Sequence, residues 1–213
     1  MKYLATLSFL LMFFVGMAVA QDKSAAELKN EGNEALRTKN YKQALELFEQ
    51  SIAVWGEEAM DAAMVYNAAT CARKIKDDEK ALKYFKESKK LGYNPDVSTY
   101  YIANSLKKME KDEEMEKVLI DGIKEFSTSK YVGHMKKMLV TYYLKLGSDE
   151  YTAGQNILNT RVDSNRDQWD DIKAKAATVF EKAIGFANKA LEYDANNANA
   201  KAILTGVDTF LKS

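Results

Sequence analysis

The sequence predicts an all-α chain, an α-α superhelix of about four to five helical hairpins closed by a C-terminal capping helix. Three observations predict it. One spacing of small and bulky residues, four and then three apart, recurs along the chain and places each set on one helical face. A single proline and ten glycines interrupt 213 residues, so long helices meet few breakers. At 46% hydrophobic and 29% charged, the composition is that of a folded chain and not of a disordered one.

The first segment belongs to targeting. Lys2 precedes an almost wholly apolar run from Leu4 to Val15, and Ala18-Val19-Ala20 supplies the small-x-small pattern of a signal-peptidase site. A membrane anchor is the competing reading, but polar Gln21-Asp22-Lys23 follows the site directly, which favours a cleaved signal peptide over residues 1–20. No cysteine lies near the cleavage point, so a lipoprotein anchor is not expected, nor is stable membrane insertion after cleavage. No Asn-x-Ser/Thr sequon occurs, which leans toward a bacterial periplasm, and the expected location is periplasmic or secreted.

Residues 21–213 read as one solenoid domain whose units are pairs of amphipathic helices, A then B. The B helices carry Ala44, Phe48, Ser51; Ala81, Phe85, Ser88; Met115, Leu119, Gly122; and Ala153, Ile157, Thr160. The A helices carry Leu28, Gly32, Ala35; Val65, Ala69, Ala72; and Thr99, Ala103, Leu106. Small residues such as Gly32 with Ala44 let two helices approach, and Phe48 and Phe85 fill the wedge between hairpins. A lone hairpin cannot bury its apolar face, so the units must stack. Polar turns at Lys39-Asn40, Lys76-Asp77-Asp78 and Lys111-Asp112 offer cap-forming residues between A and B, and Asn94-Pro95 separates the second unit from the third. The units lie near 25–56, 62–93, 96–127, 131–161 and 165–197. In the last, an unbroken stripe runs from Trp169 through Ile172, Ala176, Phe180, Ala183 and Ala187 to Leu191. A capping helix over 199–211 places Ala202, Leu204, Val207 and Phe210 inward.

Leu28-Lys-Asn-Glu-Gly-Asn-Glu-Ala-Leu36, then Asn40-Tyr41, then Ala44 with Phe48 resembles the tetratricopeptide repeat (TPR). The second unit follows the pattern. The third departs from it with Met115 at the usual alanine, and the fourth with Lys137 where helix A is normally apolar. The resemblance extends over about residues 25–197 and implies that the A helices line a concave groove that binds extended peptides. On that placement the groove takes Lys29, Asn33 and Arg37 from the first unit and Tyr66, Asn67 and Arg73 from the second. The third adds Tyr100, Tyr101, Asn104 and Lys107, and the fourth Leu139 and Tyr142. Lys29, Asn33 and Asn67 match three of five places in the dicarboxylate clamp of chaperone-tail TPR domains. Val97 and Tyr101 stand where two basic residues are needed, so a clamp is not expected.

The remaining chemistry is sparse. Equal numbers of basic and acidic side chains, 31 each, argue against nucleic acid as a partner. One cysteine and one histidine exclude an internal disulfide framework and most zinc sites and histidine triads. Cys71, among small residues, reads as a buried filler, and His134 as a solvent or groove residue. Asp163-Ser-Asn165-Arg-Asp167 begins like a calcium loop, but Gln168 replaces the glycine and Ala174 the bidentate glutamate. The expectation is therefore a non-catalytic scaffold, with no cofactor or metal, that binds a protein or peptide in its groove. The alternative is a self-assembling envelope protein forming homo-oligomers through its solenoid ends. Oligomeric state stays open, with a monomer as the leading reading.

Overall fold

Ser24 opens the first helix: its hydroxyl accepts from the Glu27 N–H (3.3 Å), and the Glu27 carboxylate accepts from the Ser24 N–H (2.9 Å). From there the computed structural model, which describes residues 23–57 and 59–212, is helical with short turns. The proposed signal segment, residues 1–20, lies outside the described residues. Three hairpins come first: α1 (Ala25–Arg37) with α2 (Tyr41–Ala53), α3 (Ala62–Lys74) with α4 (Asp78–Lys90), and α5 (Pro95–Lys108) with α6 (Asp112–Glu125).

All three hairpins turn in the same way. Lys39, Lys76 and Glu110 adopt left-handed φ of 62°, 64° and 57°. The next N–H, of Asn40, Asp77 and Lys111, then reaches back to the carbonyl of Ala35, Ala72 and Leu106 at 2.8, 2.9 and 2.9 Å. Asn40 and Asp77 go on to cap α2 and α4 by accepting from the N–H of Gln43 and Lys80. The cap expected at Lys111-Asp112 does not form: Lys111 occupies the N-cap position without an acceptor, and Asp112 lies one residue inside, where it complements the helix dipole. Pro95 opens α5 after a left-handed Asn94.

Every A-helix and B-helix set named for the first three units is buried. Gly32 shows why the spacing matters, because a Cβ there would stand 2.7 Å from the Phe48 ring. In the third unit Met115 is buried in the shared core, and Gly122 makes room for Thr99 and Met135, which a Cβ there would meet at 2.6 and 3.1 Å.

The second half departs from the pattern. The fourth unit is not a hairpin but one 27-residue helix, α7 (Val132–Leu158), which packs antiparallel on α8 (Trp169–Tyr193). Gly147 and Gly154 are contact points here and not breakers. A Cβ at Gly154 would meet the Phe180 ring at 2.5 Å, and one at Gly147 would crowd Phe186 and Ile203. Ala153 and Thr160 are accordingly exposed and Ile157 half-buried, while Gly147, Gly154 and Leu158 face the core. The stripe expected on α8 is in place, with Ile172, Ala176, Phe180, Ala183 and Ala187 buried. In α9 (Ala198–Lys212) one expected position differs: Ala202 is exposed, whereas Val207 is buried and Leu204 and Phe210 are half-buried, with Ala200 and Ile203 buried beside them.

The calcium-like string forms a 3-10 turn in which Asp163 pairs with Arg166 (2.8 Å) and Asn165 accepts from the Val162 N–H and Trp169 Nε1. Among the described residues no group of three His, Cys, Asp or Glu is placed to hold a metal ion, and no described helix is long and apolar enough to cross a membrane. Cys71 is fully buried, and burial pushes its thiol up to about 11.

Candidate functional site

The sequence-predicted groove residues divide into three places. At the N-terminal end the side chains engage one another. Lys29 pairs with Asp61 at 3.1 Å and lies over the Trp55 ring, and Arg37 pairs with Glu34 at 2.7 Å. Asn67 Nδ2 donates to Asn33 Oδ1 at 3.4 Å. Asp61 also accepts from the Met64 N–H and so caps α3. Burial pushes its carboxyl up, but that N–H and the Lys29 ammonium together outweigh burial and hold it below the usual carboxylate range.

The middle is a continuous seam of aromatic rings across α3, α5 and the start of α7. Helical spacing puts Tyr66 and Arg73, two turns apart, on one face of α3. The Tyr66 ring meets Tyr93 (5.5 Å) and Phe85 (5.7 Å) edge-on. Phe85, the wedge residue of α4, stacks on Tyr101 at 5.0 Å and 25°. Tyr101 touches Tyr100 at 5.2 Å, and Tyr100 reaches Tyr131 at 5.5 Å and His134 at 5.6 Å. Each such ring pair contributes about 0.5–1.5 kcal/mol beyond its area, so the exposed and half-buried tyrosines on either side of the fully buried Phe85 are held in place and are not loose side chains. The Arg73 guanidinium lies 4.4 Å from the Tyr101 ring centre, and its Nε is buried without a hydrogen-bond partner among the described residues. Burial pushes the Tyr66 phenol up, the nearby Tyr101 and Tyr131 phenols add to this, and Arg73 opposes it.

The hydroxyls separate this seam from other tyrosines. Tyr84 and Tyr143 donate to Glu49 (2.9 Å) and Glu116 (2.6 Å). Among the described residues, no protein hydrogen bond engages the hydroxyls of Tyr66, Tyr93, Tyr100, Tyr101 or Tyr131. Asn104, one turn beyond Tyr100, donates to the Tyr100 carbonyl at 3.4 Å.

The third place is a cleft of about 580 Å³ between α5, α6 and α7, where Lys107 and Tyr142 meet Asp112, Met115 and Met138. Burial and then the Glu116, Asp112 and Glu113 carboxylates raise the Tyr142 phenol. Leu139 belongs to none of these places: it is fully buried in the core, because α7 turns that face toward its neighbours. Sequence reasoning missed Tyr93 and Tyr131, which sit in a turn and at a helix boundary where no periodicity marks a face.

No protein-family model matches the chain, and no curated protein matches it. Among solved structures it is similar to a TPR repeats protein from Bacteroides fragilis NCTC 9343, with 24% identity, 87% of this chain and 98% of that one covered, and a TM-score of 0.56. It is also similar to a protein from Bacteroides ovatus ATCC 8483, with 16% identity, 89% and 98% covered, and a TM-score of 0.47. A third is YrrB, a TPR protein with an unusual peptide-binding site, with 14% identity, 87% and 94% covered, and a TM-score of 0.45. The first likeness shows the fold: the chain has the TPR architecture of stacked helical hairpins.

Proposed function

We propose that this chain is an exported, non-catalytic scaffold that holds an extended segment of a protein partner along the aromatic seam of α3, α5 and α7. The observation that carries this reading is the unbroken run of rings from Tyr93 to His134, whose phenol hydroxyls are left unbonded within the described protein. Tyrosine offers apolar area at low entropic cost and a polar tip that pairs with a peptide's N–H or C=O, which suits an extended chain passing over it. Arg73 supplies a cation within the same surface. The resemblance of the first two units to the TPR consensus points the same way, although function rests on the site and not on the fold. In this reading the working form is a monomer in the periplasm or outside the cell, with α9 as the cap of the stack.

Affinity capture from an envelope extract, followed by mass spectrometry, tests the binding role. Tyr66→Ala with Tyr100→Ala, both half-buried, should remove the captured partner while the circular dichroism of the helices is unchanged. Capture that survives both substitutions sinks the seam assignment. Export is checked separately: N-terminal sequencing of the protein from periplasm or medium should begin at Gln21, and a retained Met1 would contradict it.

A further inference from the structure

Arg73 stands in the last turn of α3, where any cation complements the helix dipole, and Lys74 beside it serves that purpose equally. What distinguishes Arg73 is its setting. Its guanidinium rests on the Tyr101 ring, its Nε is buried without an acceptor among the described residues, and no carboxylate is paired with it there. Asp78, at the start of α4, is already taken by Lys108 at 2.9 Å. Only Nε is enclosed in this way; the half-buried guanidinium makes no hydrogen bond among the described residues, so its terminal Nη edge is what an acceptor from another molecule would meet. A guanidinium held on an aromatic face keeps its planar edge for a carboxylate, which it can bind with two parallel hydrogen bonds.

Rings continue on both sides of Arg73. Tyr66 and Tyr93 lie to one side, and Tyr100, Tyr131 and His134 to the other. A chain that follows the seam therefore passes over Arg73 and does not end there. We infer that the partner segment carries an internal Asp or Glu whose carboxylate pairs with Arg73, flanked by apolar or aromatic side chains that pack on Tyr66 and Tyr100. This specifies the occupant of the seam and rests on the binding role proposed above.

A random dodecapeptide library in mRNA display tests it, because tethered C termini leave only side-chain carboxylates on offer. Selected on the full chain, the enriched peptides should carry Asp or Glu at one aligned position. Replacing that acid by its amide in a synthetic copy should weaken binding about tenfold, as loss of a charge-assisted bond does. With the Arg73→Gln protein the acid and amide peptides should bind alike, and with Arg73→Lys the preference should fall between. Thermal melting of both variants reports whether the helices remain folded. Enriched peptides that need Tyr66 and Tyr100 but share no acid overturn the carboxylate inference alone, as does an acid preference that persists in Arg73→Gln. Failure to enrich any peptide, or a pool indifferent to Tyr66→Ala with Tyr100→Ala, overturns the seam as the binding surface.

Discussion

Gly32 and Phe48 show how one residue sets the distance between two helices. A methyl group at Gly32 would stand 2.7 Å from the Phe48 ring, which is itself fully buried, so neither side can yield cheaply. Gly32→Ala should cost about 1–3 kcal/mol, read as a lower denaturant midpoint, with the overpacking of a tight core as the cause. Tyr84 and Tyr143 set a different limit, at alkaline pH. Burial first, and then the Glu49 and Glu116 carboxylates they donate to, push both phenols well above the ordinary value of about 10. A raised folded pKa contributes stability that is whole below the unfolded value and is lost above it, since only the unfolded chain ionises there. Unfolding midpoints should therefore hold to about pH 8.5 and decline beyond it, as the unfolded Cys71 thiol ionises while the folded one, at about 11, does not. They should fall more steeply above about pH 10, as the unfolded phenols ionise. Tyr143→Phe should cost about 1 kcal/mol at neutral pH and flatten the alkaline fall. An unchanged alkaline profile in that variant would sink the assignment. The spacing of small and bulky residues made Gly32 and Phe48 readable in advance. It could not reveal that Asn33 and Asn67 bond to each other, because a helical pattern assigns faces and not partners.

At the scale of elements, the three N-terminal hairpins share one turn, and each places a non-glycine residue in the left-handed region. That conformation costs an L residue roughly 1 kcal/mol that glycine does not bear. Lys76→Gly should consequently raise stability by up to about 1 kcal/mol, and the same holds for Lys39→Gly; a loss of stability would show that the side chain contributes more than the turn costs. Helix α7 marks the limit of pattern reading at this scale. Glycine signals both a turn and a close approach, and the two can be told apart only by what lies opposite. At Gly154 it is the Phe180 ring, from another helix, so the expected hairpin of that unit becomes the first arm of a long one. In α9 the stripe is visible in the sequence, but Ile203 and not Ala202 is buried, its side chain reaching Gly147 of α7.

Across the whole molecule, a regular stack of short hairpins is joined to a long terminal one through recurring clasps. Glu49 on α2 accepts from Lys80 and Tyr84 of α4, and Glu116 on α6 accepts from Tyr143 of α7 and Lys189 of α8. Between them, Lys89 of α4 pairs with Glu125 of α6 and Lys108 of α5 with Asp78 of α4, and the stacking that all of these pairs join places tyrosines of separate units in one seam. The superhelix and most of its core were legible because repetition averages over local ambiguity. The seam was legible only as a list of residues on A helices, and its extent depended on Tyr93 and Tyr131, which belong to no repeat face. The same clasps supply an internal control for the central claim. In an NMR titration of 13C-tyrosine-labelled protein with a peptide selected on the full chain, the rings of Tyr66, Tyr100, Tyr101 and Tyr131 should shift together. Those of Tyr84 and Tyr143, whose hydroxyls are held by glutamates, should stay in place. Shifts confined to Tyr84, Tyr143 or Tyr142, with the seam rings unmoved, would contradict the account.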